Sequence, residues 1–255
     1  MKRKSSRHQQ LSSWLKNSPL GHALLEAEKA ALDIIWNYVS GDYLVMLGSP
    51  VQSCLIEKSQ FLNKVMVTPD KLMHSKEYQM VCAEYETFPI LSNSVDAVLL
   101  PHTLEFSADS YQVLRSVASA LKADGFLMVI GFNPWSLWGL RGLFSLGKKA
   151  PWSGSFRRAF RIKEGLKLLS FELVEQKHAA YHIPFCHSKK KCRYPMIEKF
   201  CQRCLPIFGG VYIIVAQKKT YTVTPLQSQW TKVKSNMHRG IAEPVRRNFP
   251  HEENR

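Results

Sequence analysis

Acidic residues are in short supply in this 255-residue chain: 20 Asp and Glu stand against 35 Lys and Arg, a formal net charge of +15. Also missing is any long apolar run. The longest uncharged stretch, Gly125 to Leu140, has sixteen residues and is broken by Asn133-Pro134. A membrane-spanning helix needs about 20 mostly apolar residues, so this stretch fails on length and on the proline. No secretory leader is visible, because the basic start (Lys2, Arg3, Lys4, Arg7) runs into Ser, His and Gln instead of an apolar segment. A cytoplasmic location is therefore expected. In that compartment six cysteines read as thiols, not disulfides.

What is present is ordinary globular material, 45% hydrophobic and 22% charged, which excludes wholesale disorder and coiled-coil or collagen-like architectures. The charge is unevenly spread. Residues 1–40 carry +3, residues 41–140 carry −4, residues 141–203 carry +11 and residues 204–255 carry +5. An anionic partner, nucleic acid or a membrane surface, is thus a possibility confined to residues 141–203. The densest cluster there is Lys189-Lys190-Lys191-Cys192-Arg193.

Periodicity gives the organisation. Residues 1–18 read as a basic arm. Ser18-Pro19 opens a helix with an N-cap and a proline at its first position, and Leu24, Leu25, Ala31, Leu32, Ile35, Trp36 and Val39 follow at helical spacing. Tyr43–Leu47, Lys64–Val67, Met80–Ala83, Ala97–Leu100 and Phe126–Ile130 are short apolar runs of the kind found in parallel sheets covered on both faces. A helix capped by Ser107 precedes the last of these. A helix over 162–169 and strands over 171–175 and 211–216 come next, with an insertion at about 177–208 and an extended tail over 220–255. Strands alternating with helices predict an α/β fold, a Rossmann-like doubly wound, mostly parallel sheet with helices on both faces, in one domain over 19–219.

The stretch from Ala83 to Leu140 resembles class I S-adenosylmethionine-dependent methyltransferases, specifically the type 11 methyltransferase-domain family. Glu84, Phe88-Pro89-Ile90 and Ser94-Val95-Asp96 stand where that family has an acid, a Leu-Pro-Phe-like triplet and a Ser-Phe-Asp opening strand four. Leu100 to Phe106 is similar to its segment after strand four, and Lys122-Ala123-Asp124-Gly125 to its turn before strand five. Gly131 to Leu140 resembles a segment of a bacterial subgroup of the family.

The resemblance implies S-adenosyl-L-methionine as cofactor and methyl transfer by in-line displacement to an unidentified acceptor. Such ligands sit outside the carboxyl ends of the strands, at the switch point of the sheet. On that pattern the cofactor would meet Gly48, Ser49, Met66, Val67, Glu84, Tyr85, Leu100 and Pro101, with Glu84 accepting from the adenine amino group. His102, just past strand four, is the candidate catalytic base, or else a residue that orients its loop. The chain departs from the family at three anchors: Met46 replaces an acid, Pro50 and Gln52 replace glycines, and Met66 replaces the ribose-binding acid, with Asp70 the next acid along. These departures support an alternative, a catalytically inactive methyltransferase-like protein that binds RNA or a membrane surface through its basic second half.

Other residues read as structural. Asp96 should cap a turn. Asn133-Pro134-Trp135 follows strand five, not strand four, so it does not signal amino-directed methylation. Trp135, Trp138 and Phe144 should pack a short element over the cleft, or else form a substrate wall or membrane-facing surface. Cys54 and Cys82 read as core. Cys201-x-x-Cys204 has metal-ligand spacing, but Cys186 and Cys192 do not complete a ribbon pattern, and no metal is expected.

Overall fold

The strands form because both faces of the sheet are apolar. In a computed structural model, which describes residues 2–69, 78–87, 89–144, 151–181 and 208–219, β1 (Tyr43–Leu47) sends Leu44 and Met46 to one side and Val45 and Leu47 to the other. The same period-two division recurs in β4 (Val95–Pro101), β5 (Leu121–Phe132) and β7 (Val211–Lys218). On the first side the sheet meets α1 (Lys2–Asn17) and α2 (Pro19–Ile35), through Leu11, Leu15, Leu24, Leu32 and Ile35. On the second it meets α4 (Ser110–Ala120) and α6 (Ala159–Leu168), through Val113, Leu114, Val117, Ile162 and Leu166.

With β2 (Asn63–Thr68), β3 (Gln79–Cys82) and β6 (Phe171–Ala179), the seven strands run in the order β3-β2-β1-β4-β5-β7-β6. The first five are mutually parallel, and β7 is antiparallel to both β5 and β6. The order reverses between β1 and β4, so the crevice where ligands collect lies at their carboxyl ends.

The expected strands and helices are present with bounds shifted by a few residues; α2 ends at Ile35, and Trp36 and Val39 follow it, both buried. Other expectations differ. The expected arm holds α1, a 16-residue helix. The cap of α4 is Asp109, whose carboxylate accepts from the amides of Tyr111 and Gln112, while Ser107 closes a single turn, α3 (Thr103–Phe106). Cys82 is exposed and not a core residue, whereas Cys54, half-buried, packs against the core beneath α2. Of the insertion expected at about 177–208, residues 177–179 instead continue β6, and 182–207, with its lysine cluster and remaining cysteines, lies outside the described residues, as do Asp70 and the tail from 220.

Among the described residues no helix is long and apolar enough to cross a membrane, and no group of three His, Cys, Asp or Glu is placed to hold a metal ion.

Candidate active site at the carboxyl edge of the sheet

The switch point is built around the turn after β1. The Gly48 amide donates to the carbonyl of Val67, tying the turn to β2. A side chain at Gly48 would lie 2.8 Å from Pro101 Cγ and 3.0 Å from Gln52 Oε1, so only bare backbone fits between β1 and β4. Ser49 caps a short 3-10 helix, Pro50–Leu55, and Gln52 reaches back to accept from the Ser49 amide at 2.9 Å. The Gln52 amide nitrogen then donates to the Pro101 carbonyl at 3.3 Å. A capping box thus replaces two family glycines, and Gln52, buried, bridges the two strands of the switch point.

Glu84 stands exposed just past β3, where the chain turns into a 3-10 segment, and the neighbouring Tyr85 is buried. Val67, Leu100 and Pro101 are buried behind the turn. Met66 and Met46 pair in register and both lie in the core beneath α2, which explains in packing terms why neither is an acid. The structure therefore brings Gly48, Ser49, Glu84, Tyr85 and Pro101 to one edge and keeps the Met66 side chain below it.

Helix α1 lies across this edge. Its His8 Nε2 is 2.7 Å from the Tyr85 hydroxyl, its Ser12 hydroxyl donates to Ser49 Oγ at 2.6 Å, and its Trp14 meets Trp138 edge-on at 6.2 Å. These contacts run from the end of β3, past β1, to the segment after β5. Sequence patterning offered no sign of them, because two of the three are polar and Trp14 stands in a helix with few apolar residues.

His102 occupies a fully buried cluster. Its backbone is left-handed, with φ 58°, a conformation a few per cent of non-glycine residues adopt. Glu28 Oε1 lies 2.7 Å from Nε2 and Glu105 Oε2 lies 3.0 Å from Nδ1. Glu105 also accepts from the Phe132 amide, and the Phe132 ring stacks on the imidazole at 4.1 Å. Burial opposes the charged imidazole, but the two carboxylates outweigh it and raise His102 to about 10. Burial pushes the Glu105 carboxyl up against the pull of His102. With both ring nitrogens engaged by carboxylates, the ring is held as an imidazolium and offers no lone pair to a substrate. Glu28 could have been suspected: an acid at the four-residue interval between Leu24 and Leu32 sits on the buried stripe of α2.

Asp96 is structural. One carboxylate oxygen accepts from the amides of Asp42 and Tyr43, and the other from Lys122 at 2.6 Å, which ties the starts of β1 and β5 to β4 between them. Burial works against its ionisation, but Lys122 and the two amides prevail and hold the carboxyl below its usual value.

Beyond β5, Asn133 turns the chain by accepting from the Trp135 amide and donating to the Gly209 carbonyl. Trp138 on α5 (Leu137–Phe144) is buried against Phe132, whereas Trp135 is exposed.

Comparison with known proteins accords with this geometry. The family model described as "Methyltransferase domain" matches residues 61–129. An Escherichia coli K12 protein, YafS, is 31% identical over 154 residues, a match spanning 60% of each chain. A SAM-dependent methyltransferase from Thermotoga maritima superposes with a TM-score of 0.62 at 17% identity, covering 84% of this chain and 100% of that one. A chain from the complex between the Haloferax volcanii Trm112 methyltransferase activator and a methyltransferase gives 0.57 at 14% identity, covering 82% and 98%. Residues 61–129 thus match a methyltransferase-domain model, within a chain that shares the fold of solved SAM-dependent methyltransferases.

Proposed function

We propose that this protein is a cytoplasmic S-adenosyl-L-methionine-dependent methyltransferase whose cofactor lies at the carboxyl edge, between the Gly48 turn and Glu84. The observation that carries this reading is the exposed Glu84 carboxylate at the end of β3, on the same carboxyl edge of the sheet as the Gly48 turn. Glu84 can accept from an amino group, while the glycine at 48 lets the turn pack closely on Pro101 and Gln52. Gly48 and Ser49 would hold one end and Glu84 and Tyr85 the other. Val67, Leu100 and Pro101 would form the wall, with Met66 packed beneath.

When bound, the cofactor supplies a methyl group made electrophilic by its sulfonium. The chain's part is to position and to exclude water. Helix α1 covers the edge through His8 and Ser12. The Glu28–His102–Glu105 cluster locks the loop after β4 to α2 and β5, so His102 is a positioning residue and not the base. In-line displacement then depends on orientation, with little acid–base chemistry.

The inactive alternative has no support from the comparisons, and its lysine cluster lies outside the described residues. Isothermal titration with the cofactor and with its demethylated product tests the proposal. Binding of both is expected, weakened about tenfold or more in Glu84→Ala through loss of a charge-assisted hydrogen bond. No heat from either ligand at millimolar concentration would remove the enzymatic reading.

A further inference from the structure

On the β5 side of the carboxyl edge the chain folds a concavity of about 640 Å³. That volume lies in the range of small-molecule sites. Three separate stretches wall it: Trp135, Leu137 and Leu140 after β5, Trp152 and Phe156 ahead of α6, and Phe208 ahead of β7. Large apolar side chains facing one hollow are normally buried. Here Trp135 is 64% exposed and Phe208 53%, with Leu137 and Leu140 about half exposed. Helix α5 divides its residues accordingly, sending Trp138 into the core and Leu137 and Leu140 toward the hollow. Contiguous exposed apolar surface of this kind marks a binding site.

The charge at the hollow has one sign. Arg158 lines it, with its guanidinium 5.2 Å from the centre of the Trp135 ring. Arg141 stacks 4.5 Å over Trp152. Among the described residues that line it there is no Asp or Glu. A guanidinium stacked on an indole keeps its in-plane N–H groups directed outward, which is the geometry that recognises carboxylate or phosphate.

We propose that this hollow binds an amphiphilic anion, with an aromatic or hydrocarbon body against Trp135, Trp152 and Phe156 and its anionic head at Arg158. Only a ring stack divides it from the end of β4: Phe156 on Phe132 at 5.0 Å, and Phe132 on His102 at 4.1 Å. A ligand held there is separated from the end of β4 by that stack, and its binding does not rest on the methyltransferase reading.

The test follows tryptophan fluorescence of the full-length protein titrated with monomeric dodecanoate, dodecanol and dodecyltrimethylammonium. Saturable binding is expected, with dodecanoate about tenfold or more tighter than the cationic analogue. Arg158→Gln should weaken dodecanoate about tenfold and leave dodecanol within about twofold. Leu140→Asp, which alters a half-exposed side chain, should abolish dodecanoate binding while circular dichroism stays native. Equal affinity for the three probes would overturn the proposal, as would no saturable binding. A response to phosphatidylglycerol vesicles without one to monomeric dodecanoate would make the hollow a membrane-facing surface and overturn it too. Cofactor titration in the same samples keeps the readings apart. Cofactor binding without dodecanoate binding removes the hollow alone, and the converse removes only the methyltransferase reading.

Discussion

At the scale of single residues, the most consequential group is His102, because it is charged where no water reaches it. An unfolded imidazole titrates near 6.5, and in the fold the carboxylates raise it to about 10. A raised pKa means that the folded state holds the proton more tightly. The stability this contributes is complete below about pH 6.5 and is lost as pH climbs through about 10. Urea midpoints of the native protein and of His102→Gln should therefore differ most near pH 6 and converge toward pH 10. A gap that widens with pH would show that the ring is neutral in the fold. At fixed pH, Glu28→Ala should cost about 3–5 kcal/mol, since it strips a partner from a buried charge. The local sequence after β4 identified His102 as noteworthy. It could not show that Glu28, 74 residues earlier, would close on the other ring nitrogen.

At the scale of elements, what could be read depended on whether an element's partner was apolar. Strands β1, β4 and β5 were legible because both their faces meet hydrophobic layers, and α2 because Leu24, Leu32 and Ile35 repeat at helical spacing. The cap of α4 was misplaced by two residues, since Ser107 and Asp109 are both competent and only the break at α3 decides between them. Helix α1 was illegible. Its sequence is polar, with only Leu11, Trp14 and Leu15 as apolar residues, so it carries no stripe that would announce a buried face. The turn after β1 was legible in position, through Gly48, but the way Gln52 replaces the missing glycines required knowing that Pro101 lies opposite. For α1 the anchoring is testable. Leu11 and Leu15 are fully buried, so truncating either to alanine should destabilise the protein by about 2–5 kcal/mol in urea unfolding. A loss below about 0.5 kcal/mol, ordinary for a surface site, would mean that α1 does not pack on the sheet in solution.

At the scale of the whole molecule, the division of charge follows the division of labour. Residues 41–140, net −4, supply β1 to β5 and every side chain proposed for the cofactor. The basic stretch that follows supplies Arg158 at the hollow beyond β5 and Arg141 against its Trp152 wall. The cofactor edge is assembled from the ends of four strands, α1 and the loop after β4, so it exists only when both core layers are in place. Occupancy of that edge should therefore stabilise the entire sheet and not one loop. For a ligand that binds only the folded chain, a free concentration one hundred times Kd adds about 2.7 kcal/mol. In a protein of this size that corresponds to a rise in Tm of about 5–10 °C. Differential scanning calorimetry with the cofactor should show that rise as a shift of the main transition, growing with concentration. Gly48→Ala should begin from a lower Tm, because its added methyl meets Pro101 and Gln52, and should lose the shift as well. A variant that keeps the full shift would place the cofactor somewhere other than the β1 turn.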